Sequence, residues 1–416
     1  MEKFLVNGGA KLNGTVVVPR AKNSFLPIMA STILCDEKIV LKDYPNYLDT
    51  FNMCKILKFL GKKVSFQNGD LIIEKGKRPN TFVPEHLAKK LRSSIFTLGA
   101  LLGKHKKAKI SMPGGCQIGQ RPIDLHILGL KTLGVEFKHT KNFLICKAKN
   151  MHSGKIKLKF PSVGATENLI MASVLLKGKT VILNAAKEPE IVDLANFLNQ
   201  MGAKIKGAGT KKIVIVGVEK LHETTFSPIP DRIFAGTIMI ACAMTGGKVT
   251  LKNCNPNHLK KISKILKESG CKLKILKTEI IIESTGKIVA RKTVKTAPYP
   301  GFATDLQSQV LAFFCVCAGK SKLVEKVFEN RFQTALELKK MQANIKIKNN
   351  VAVVCGGNLV AATVKAPDLR GGAALVLAGL VAKGQTTVEN VFHIDRGYFC
   401  LEKTLQKLGA NIKRVT

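Results

Sequence analysis

A glycine-rich loop places one thiol close to a guanidinium. Cys116 follows Gly114 and Gly115, and Arg121 lies five residues further along the chain. A nearby cation stabilises a thiolate relative to a thiol, and glycines allow backbone N–H groups to approach a bound anion. These residue types and this spacing predict that Cys116 acts as an acid, a base or a nucleophile. The competing interpretation is a structural turn that happens to contain a cysteine.

Arginine is scarce in a chain that is otherwise rich in lysine. Only ten of the 67 basic residues are arginine. Guanidinium is a planar, permanently charged fork that binds carboxylate or phosphate through two hydrogen bonds, so these few arginines are candidates for anion binding. Several lie in short motifs, namely Arg121-Pro122, Asn330-Arg331, Asp368-Leu369-Arg370 and Asp395-Arg396. Each could instead form a surface salt bridge.

The net charge of +39 is compatible with nucleic-acid binding, because a basic protein gains affinity for phosphate by releasing counterions. The lysines are spread almost evenly along the chain, however, and form no arm or stripe. The chain has no tryptophan, only four tyrosines and no zinc-finger or RNP-like motif, so base stacking and base recognition have little support. We therefore expect solvated lysine-rich surfaces and no nucleic-acid partner.

The length of 416 residues exceeds what one ordinary core holds and predicts two domains. The longest apolar runs, residues 310–318 and 373–382, fall short of the roughly 18 residues that a membrane span needs. The eleven cysteines lack C-x-x-C spacing and follow no secretion signal, which favours reduced thiols and no structural metal site. We expect a cytoplasmic monomer with no membrane partner.

Two sequence markers recur at intervals of about 70 residues. The first is an amphipathic helix followed by a glycine and an alternating strand, with its copies at Leu60-Gly61, Leu133-Gly134, Met201-Gly202, Ser269-Gly270, Met341-Gln342 and Leu408-Gly409. The second is a short strand at residues 39–41, 108–110, 180–182, 248–250, 322–324 and 387–389. A shared period for two independent markers predicts a sixfold duplication of a βαβαβ-type unit, arranged as two α/β domains of three units each.

Polar residues capable of chemistry are concentrated in the loops that follow the second marker. They occupy residues 114–121, 187–190, 329–331 and 393–396. Equivalent loops of repeated units lie at equivalent ends of a domain. We therefore expect these loops to face one cleft between the two domains, which is a usual place for a ligand site.

Ten motifs occur in a fixed order along the whole chain. They are residues 21–24 (Ala-Lys-Asn-Ser), 91–94 (Leu-Arg-Ser-Ser), 113–126, 161–168, 188–193, 230–232 (Pro-Asp-Arg), 299–305, 328–332 (Phe-Glu-Asn-Arg-Phe), 368–370 (Asp-Leu-Arg) and 393–398 (His-Ile-Asp-Arg-Gly-Tyr). On these motifs the chain resembles the UDP-N-acetylglucosamine 1-carboxyvinyltransferases, a branch of the enolpyruvyl transferase family.

The resemblance implies a particular version of the repeated fold. It consists of two inside-out α/β barrel domains, each made of three repeated βαβαββ units, with the active site in the interdomain cleft. The first domain is then residues 22–230 and carries the Cys116 loop, which would act as a lid. The second domain is residues 1–21 plus 231–416.

The reaction implied by the resemblance transfers the enolpyruvyl group of phosphoenolpyruvate to the 3-hydroxyl of UDP-N-acetylglucosamine and releases phosphate, as the first committed step of peptidoglycan synthesis. By resemblance, Cys116 is the acid that protonates phosphoenolpyruvate and can form a covalent adduct, and Asp305 is the base. Lys22, Arg121 and Arg396 hold phosphoenolpyruvate, and Lys22 and Arg396 also count as catalytic. No metal or organic cofactor is implied.

The same resemblance assigns further residues to the two substrates. Asn23 is expected near the tetrahedral centre of the intermediate. The remaining substrate-binding residues are Arg92, Pro122, Ile123, Asp124, Leu125, Ser162, Val163, Gly164, Val327, Arg331, Asp368 and Arg370, together with Arg121 and Asp305.

Alternative functions remain at this stage, and three positions depart from the family pattern. The alternatives are an enolpyruvyl transferase acting on shikimate 3-phosphate, an inactive paralogue, and a basic nucleic-acid-binding protein. Arg20 adds a cation beside Lys22, where it either strengthens anion binding or points away. Phe234 replaces an acidic residue. Gly371 and Gly372 are candidates for loosening the turn that aims Arg370.

Overall fold

The computed structural model describes residues 2–111, 114 and 123–416, and these form two compact units. Unit I contains the described residues between Arg20 and Ile229. Unit II contains residues 2–19 and 230–416. Unit II is thus built from two separate parts of the chain.

The described residues contain 24 strands. In chain order they are β1 Lys3–Asn7, β2 Leu12–Val17, β3 Ile39–Leu41, β4 Lys62–Gln67, β5 Asp70–Lys75, β6 Phe82–Val83, β7 Lys107–Ser111, β8 Glu136–His139, β9 Phe143–Lys147, β10 Lys155–Lys157, β11 Lys179–Leu183, β12 Lys204–Lys206, β13 Lys212–Val216, β14 Thr224–Phe226, β15 Gly247–Lys252, β16 Lys272–Ile275, β17 Ile280–Ser284, β18 Thr293–Lys295, β19 Lys320–Val324, β20 Asn344–Lys348, β21 Val351–Cys355, β22 Thr363–Lys365, β23 Gln385–Glu389 and β24 Asn411–Val415.

The same residues contain 14 α-helices and four 3-10 helices. The α-helices are α1 Lys22–Ser31, α2 Leu48–Phe59, α3 Glu85–Ala88, α4 Phe96–His105, α5 Asp124–Thr132, α6 Val163–Ser173, α7 Pro189–Gln200, α8 Arg232–Thr245, α9 Lys260–Glu268, α10 Gln307–Phe314, α11 Gln333–Lys340, α12 Leu369–Gly379, α13 Phe392–Asp395 and α14 Leu401–Lys407. The 3-10 helices are Thr32–Leu34, Arg92–Ile95, Pro256–Leu259 and Thr304–Leu306.

The strands form six four-stranded sheets with one common topology. The strand orders are β14-β3-β5-β4, β6-β7-β9-β8 and β10-β11-β13-β12 in unit I, and β2-β15-β17-β16, β18-β19-β21-β20 and β22-β23-β1-β24 in unit II. In every sheet, as written in these orders, the first strand pairs in parallel with the second. The second pairs antiparallel with the third, and the third pairs antiparallel with the fourth. The second place of each sheet is taken by a strand of the second sequence marker. The predicted sixfold repeat and the βαβαββ form of its units are confirmed.

Two sheets are completed by strands from the start of the chain. β1 lies between β23 and β24, with Phe4 opposite both Val388 and Arg414. β2 pairs in parallel with β15, from Leu12 opposite Gly247 onward. In unit I, β14 pairs in parallel with β3, although more than 180 residues separate them. In each unit, therefore, the sheets are completed by strands that are far apart in the sequence.

Each unit has three inner helices that are buried around their whole circumference. These are α1, α4 and α6 in unit I and α8, α10 and α12 in unit II, and every residue of α10 and α12 is buried. In unit II all three inner helices pack against one another. The helices of the first marker lie outside this core and have one polar face. They are α2, α5, α7, α9, α11 and α14. Within the described residues, no helix has the length and apolar character required to cross a membrane.

The outer helices all end in a residue with left-handed backbone geometry. The φ angles are 92° at Gly61, 84° at Gly134, 99° at Gly202, 102° at Gly270, 66° at Gln342 and 98° at Gly409. Glycine adopts this conformation without a steric cost, whereas a residue with a Cβ atom does not. Gln342, the one residue of these six that is not glycine, is therefore strained.

We predict that Gln342→Gly raises the free energy of unfolding by about 1 kcal/mol, because it relieves this strain at an exposed site. Lys339→Gly is the matched control: it introduces glycine inside α11, where it should lower stability by a similar amount, roughly 1 kcal/mol. Urea unfolding measures both changes. A loss of stability in Gln342→Gly would contradict the prediction.

A buried carboxyl ties α1 to the segment where the chain leaves unit I. Asp193 in α7 accepts a hydrogen bond from Ser24 Oγ in α1 and another from the Ile229 N–H at 3.0 Å. Burial raises the pKa of Asp193 to about 6, although these hydrogen bonds oppose the shift. The folded protein therefore binds this proton more tightly than the unfolded chain does.

The raised pKa of Asp193 gives a defined pH dependence of stability. Between about pH 4 and pH 6 the folded state holds more protons than the unfolded state, so the free energy of unfolding falls as pH rises. In the wild-type protein this group should lower the free energy of unfolding by about 2 kcal/mol across the window, and Asp193→Asn should abolish that decrease. Urea unfolding at both ends of the window measures the change. Asp70→Asn is the control, since Lys42 lowers the pKa of Asp70 and its replacement changes the slope in the opposite sense.

Candidate active site

Three of the predicted site residues, Cys116, Arg121 and Pro122, lie outside the described residues. The other predicted residues are divided between the units. Unit I contains Lys22, Asn23, Arg92, Ile123, Asp124, Leu125, Ser162, Val163 and Gly164, and unit II contains Asp305, Val327, Arg331, Asp368, Arg370 and Arg396.

The N-terminal ends of the inner helices carry many of these residues. Lys22 and Asn23 begin α1, Ser162 caps α6, and Asp368 caps α12. Arg92 and Asp305 lie in the 3-10 helices that lead into α4 and α10. A helix N-terminus presents unpaired backbone N–H groups and a partial positive charge, so it favours anions. The repeated fold thus supplies several anion-favouring positions to the candidate site.

The carboxylate of Asp305 joins two buried guanidiniums in unit II. Arg331 Nη2 donates to Asp305 Oδ1 at 3.2 Å, and Arg370 Nη2 donates to Asp305 Oδ2 at 3.0 Å. Both arginines are only 3% exposed. Burying a guanidinium is costly without a nearby negative charge, and removing one partner of a buried pair is strongly destabilising. Asp305 therefore stabilises both arginines, and their hydrogen bonds in turn orient its carboxylate.

Two N–H groups of this cluster remain after these pairings. Arg331 Nε and Arg370 Nη1 are buried and have no hydrogen-bond partner among the described residues. Buried donors are nearly always satisfied in native proteins, by protein, water or ligand. The two N–H groups are therefore suited to bind an anionic group or an ordered water beside Asp305.

The turn that aims Arg370 is closely packed. Asp368 Oδ1 accepts hydrogen bonds from the backbone N–H groups of Arg370 at 2.8 Å and Gly371 at 3.1 Å. A Cβ atom at Gly371 would lie 2.5 Å from Thr334 Oγ1 and 2.8 Å from Pro367. The expectation that the two glycines loosen this turn is wrong: the glycine allows the cap and its neighbours to approach closely.

A buried hydrogen-bond network supports Arg370 from the other side. The Arg370 Cζ atom lies 5.5 Å above the ring of Tyr398. The Tyr398 hydroxyl is 2.8 Å from Thr237 Oγ1 and accepts a hydrogen bond from Gln309 Nε2 at 3.2 Å. Tyr398 is fully buried and lies two residues after Arg396. The core of unit II therefore fixes the backbone on both sides of Arg396.

Glu325 organises the loop that contains Val327, a role that no sequence motif indicated. Its Oε1 atom accepts hydrogen bonds from the Thr296 hydroxyl and from the N–H groups of Val327 and Phe328, at 2.8, 2.7 and 3.1 Å. Its Oε2 atom accepts one from Thr304 Oγ1 at 2.9 Å. Because Thr304 precedes Asp305, one buried carboxylate fixes both the base candidate and the Val327 loop. The only available signal in the sequence was a lone glutamate immediately after β19.

We predict that Glu325→Ala lowers the free energy of unfolding by about 3 kcal/mol and reduces turnover, because it leaves two backbone N–H groups without a buried acceptor. Glu325→Gln is the control. Its amide oxygen can keep the three bonds to Oε1, and its NH₂ group can donate to the Thr304 hydroxyl. Urea unfolding and steady-state kinetics should show the glutamine variant close to wild type. Equal losses in both variants would contradict this role.

In unit I, Lys22 forms a buried ion pair at the start of α1. Its Nζ atom donates to Asp49 Oδ2 at 3.1 Å, and the side chains of the two residues are 10% and 2% exposed. Arg20 has different partners: its Nε donates to Asp43 Oδ2 at 2.9 Å and its Nη1 to the Pro228 carbonyl at 3.0 Å. Of the two expectations for Arg20, the geometry favours the one in which it points away from Lys22.

The residues expected to hold the nucleotide sugar lie at the start of α5 and α6. The Ser162 hydroxyl accepts a hydrogen bond from the Ala165 N–H at 3.3 Å, and a Cβ atom at Gly164 would lie 3.1 Å from the His126 ring. Asn168 Nδ2 is 3.0 Å from His126 Nδ1, and Asn168 Oδ1 accepts from the Gly99 N–H at 2.6 Å. Asp124, Ile123 and Leu125 lie at the beginning of α5. Asn168 thus fixes α4, α5 and α6 relative to one another.

Glu167 is a buried acid next to this region. It is 1% exposed, and neither carboxyl oxygen has a hydrogen-bond partner among the described residues. Burial, reinforced by Glu190 and Glu188, raises the pKa of Glu167 well above its ordinary value. The fold therefore favours the neutral acid form of this side chain over the carboxylate. In the part of the chain that the structure describes, no cluster of His, Cys, Asp or Glu is arranged to hold a metal ion.

Comparisons with solved structures show the fold class. An enolpyruvyl transferase, NikO from Streptomyces tendae, covers 100% of this chain and 99% of its own with a TM-score of 0.88 at 22% identity. EPSP synthase from Acinetobacter baumannii covers 100% of both chains with a TM-score of 0.75 at 17% identity. The family model of EPSP synthase (3-phosphoshikimate 1-carboxyvinyltransferase) matches residues 6–405. The fold and this match define an enolpyruvyl transferase.

Full-length relatives place the chain more narrowly. A UDP-N-acetylglucosamine 1-carboxyvinyltransferase 2 from Caldanaerobacter subterraneus subsp. tengcongensis is 49% identical, with 100% of each chain covered. The UDP-N-acetylglucosamine 1-carboxyvinyltransferase from Finegoldia magna is 47% identical over 100% of this chain and 99% of its own. The chain belongs to the UDP-N-acetylglucosamine 1-carboxyvinyltransferase family and is a transferase.

Proposed function

We propose that the protein transfers the enolpyruvyl group of phosphoenolpyruvate to the 3-hydroxyl of UDP-N-acetylglucosamine and releases phosphate, in the peptidoglycan pathway of cell-wall synthesis. The observation that carries this proposal is the 49% identity, over the full length of both chains, to a relative named for this activity. The identity to EPSP synthase is only 17%. The nucleotide sugar is therefore favoured over shikimate 3-phosphate as acceptor.

The chemistry requires one acid and one base. Protonation of C3 of phosphoenolpyruvate makes C2 electrophilic, and the sugar hydroxyl then attacks C2 as its proton is removed. Loss of phosphate from C2 and of a proton from C3 restores the vinyl group and completes the transfer. We assign the acid role to Cys116 and the base role to Asp305. The ion pairs of Asp305 with Arg331 and Arg370 support this assignment, because they fix the position and orientation of its carboxylate.

Anion binding is the second requirement, since the donor carries a phosphate and a carboxylate and the acceptor carries a diphosphate. We assign Lys22, Arg121 and Arg396 to the donor. The remaining N–H groups of Arg331 and Arg370 are suited to an anionic group close to Asp305. Helix N-termini at Lys22 and Ser162 add partial positive charge without adding a further side chain.

The acceptor-side assignments follow the geometry of unit I. We assign Ile123, Asp124, Leu125 and residues 162–164 to the nucleotide sugar, with Asn23 and Arg92 near the donor. The N-termini of α5 and α6 present backbone N–H groups there, and Asn168 holds the two helices together. Val327 and Asp368 complete the proposal from unit II.

The proposal needs neither a metal nor an organic cofactor, because phosphoenolpyruvate already carries the activated vinyl group. We also propose that the enzyme acts as a monomer in the cytoplasm. The ten cysteines within the described residues are free thiols, which is consistent with a reducing compartment. The basic composition remains compatible with nucleic-acid binding, but a chain with no tryptophan and only four tyrosines gives base stacking little support.

We predict that phosphate release from phosphoenolpyruvate requires UDP-N-acetylglucosamine and does not occur with shikimate 3-phosphate. Cys116→Ala should lower turnover by about 10²- to 10⁴-fold, because the general acid is lost. Cys355→Ala, which removes a half-buried thiol from β21, is the matched control and should retain activity. A continuous phosphate assay measures each of the three proteins with each of the two acceptors.

Two outcomes of this assay would change the proposal. Turnover with shikimate 3-phosphate alone would replace the acceptor. Full activity in Cys116→Ala would refute the acid role of the thiol. Activity retained in Cys116→Asp would indicate proton donation without an obligatory covalent adduct, because a carboxyl can donate a proton but cannot form the thioether.

A further inference from the structure

Arg414 in β24 binds three carboxylates at once. Its Nη2 and Nη1 atoms donate to the two oxygens of Asp395 at 2.6 and 3.0 Å. Its Nε atom donates to Glu402 Oε1 at 3.1 Å, and Nη1 also donates to Glu2 at 2.8 Å. Its Cζ atom lies 4.8 Å from the centre of the Phe4 ring. This two-pronged pairing with Asp395 is the strongest geometry available to an arginine and a carboxylate.

Asp395 is the residue immediately before Arg396. It ends the short helix α13, and the N–H groups of Gly397 and Tyr398 both donate to the Ile394 carbonyl, at 3.1 and 3.0 Å. Ile394 and Tyr398 are fully buried. The core thus fixes the backbone of this turn without help from Asp395, whose side chain is 28% exposed and points to Arg414.

The position of Asp395 creates an electrostatic problem for an anion clamp. A carboxylate next to an arginine competes with any anionic ligand for that arginine, and it also repels the ligand. Both oxygens of Asp395 accept hydrogen bonds from Arg414, which offsets the charge of the carboxylate and fixes its position. Glu402, which is only 8% exposed, fixes Arg414 in this orientation.

We propose that Arg414 is a positioning residue for phosphoenolpyruvate binding: by neutralising and holding Asp395, it prevents this carboxylate from drawing the Arg396 guanidinium onto itself. The inference rests on the proposed function, in which Arg396 holds the donor. Arg414 itself lies in the outer strand β24 and acts only through its neighbour. No motif in the sequence links Arg414 to Asp395, 19 residues earlier.

The test compares four variants with wild type: Arg414→Met, Arg414→Lys, Asp395→Asn and the double variant Arg414→Met/Asp395→Asn. Arg291→Met is the matched control, because Arg291 is an arginine of unit II that is paired with a surface carboxylate, Glu268. KM for each substrate and kcat are measured for every protein, together with thermal unfolding.

We expect Arg414→Met to raise KM for phosphoenolpyruvate by about tenfold, the change produced by 1.4 kcal/mol, while KM for UDP-N-acetylglucosamine stays within about twofold. Arg414→Lys keeps the charge but loses the fork, so its KM should be intermediate. The double variant should recover KM to within about threefold of wild type, because no unpaired carboxylate remains. Asp395→Asn and Arg291→Met should bind phosphoenolpyruvate nearly normally.

The recovery in the double variant separates positioning from a purely structural role. Glu402 lacks its Arg414 partner in both Arg414→Met and the double variant. If lower stability alone weakened phosphoenolpyruvate binding, the weakening would therefore persist when Asp395 is also changed. A double variant as impaired as Arg414→Met would overturn the inference. So would an Arg414→Met variant whose KM for phosphoenolpyruvate matches that of Arg291→Met. Absence of turnover in wild type would instead refute the proposed function, and the inference with it.

Discussion

Two buried guanidiniums share one carboxylate in unit II, and much of the candidate site depends on this arrangement. Without Asp305, Arg331 and Arg370 would lose the carboxylate that both of them bind, and removing one partner of a buried ion pair typically costs about 3–5 kcal/mol. The neighbouring features serve to hold the three residues in place. Asp368 caps the helix that carries Arg370, Tyr398 lies beneath its guanidinium, and the Glu325 carboxylate fixes the turn before Asp305.

The repeated architecture explains why such residues are found at the starts of helices. The same sheet topology occurs six times, and each unit encloses three helices whose sides are fully occupied by the core. Polar side chains can therefore reach the surface only from the ends of these helices. The N-terminal ends also favour anions through their unpaired N–H groups and partial positive charge. A fold of this type is suited to phosphorylated substrates before any particular side chain is considered.

Charge in this protein is controlled locally, pair by pair, despite the net charge of +39. Arg20 is directed to Asp43, Lys22 to Asp49, and Arg414 to Asp395. Glu167 differs from these pairs: burial and two neighbouring acids raise its pKa, which favours the neutral acid form. Because salt screens the interaction between exposed charges beyond about 8–10 Å, these pairs matter more to the site than the total charge does.

The sequence by itself determined the features that depend on neighbouring residues. The two markers predicted the repeat period and the second strand of every sheet, and the glycines predicted five of the six left-handed helix ends. The motifs identified the family and named Asp305, Arg331 and Arg370. The tertiary structure alone decided which distant segments meet: β1 with β23, β14 with β3, Glu325 with Thr304, and Arg414 with Asp395. Local patterns carry backbone and burial preferences, whereas these partners are chosen by the packing of whole sheets and helices, which no short stretch of sequence encodes.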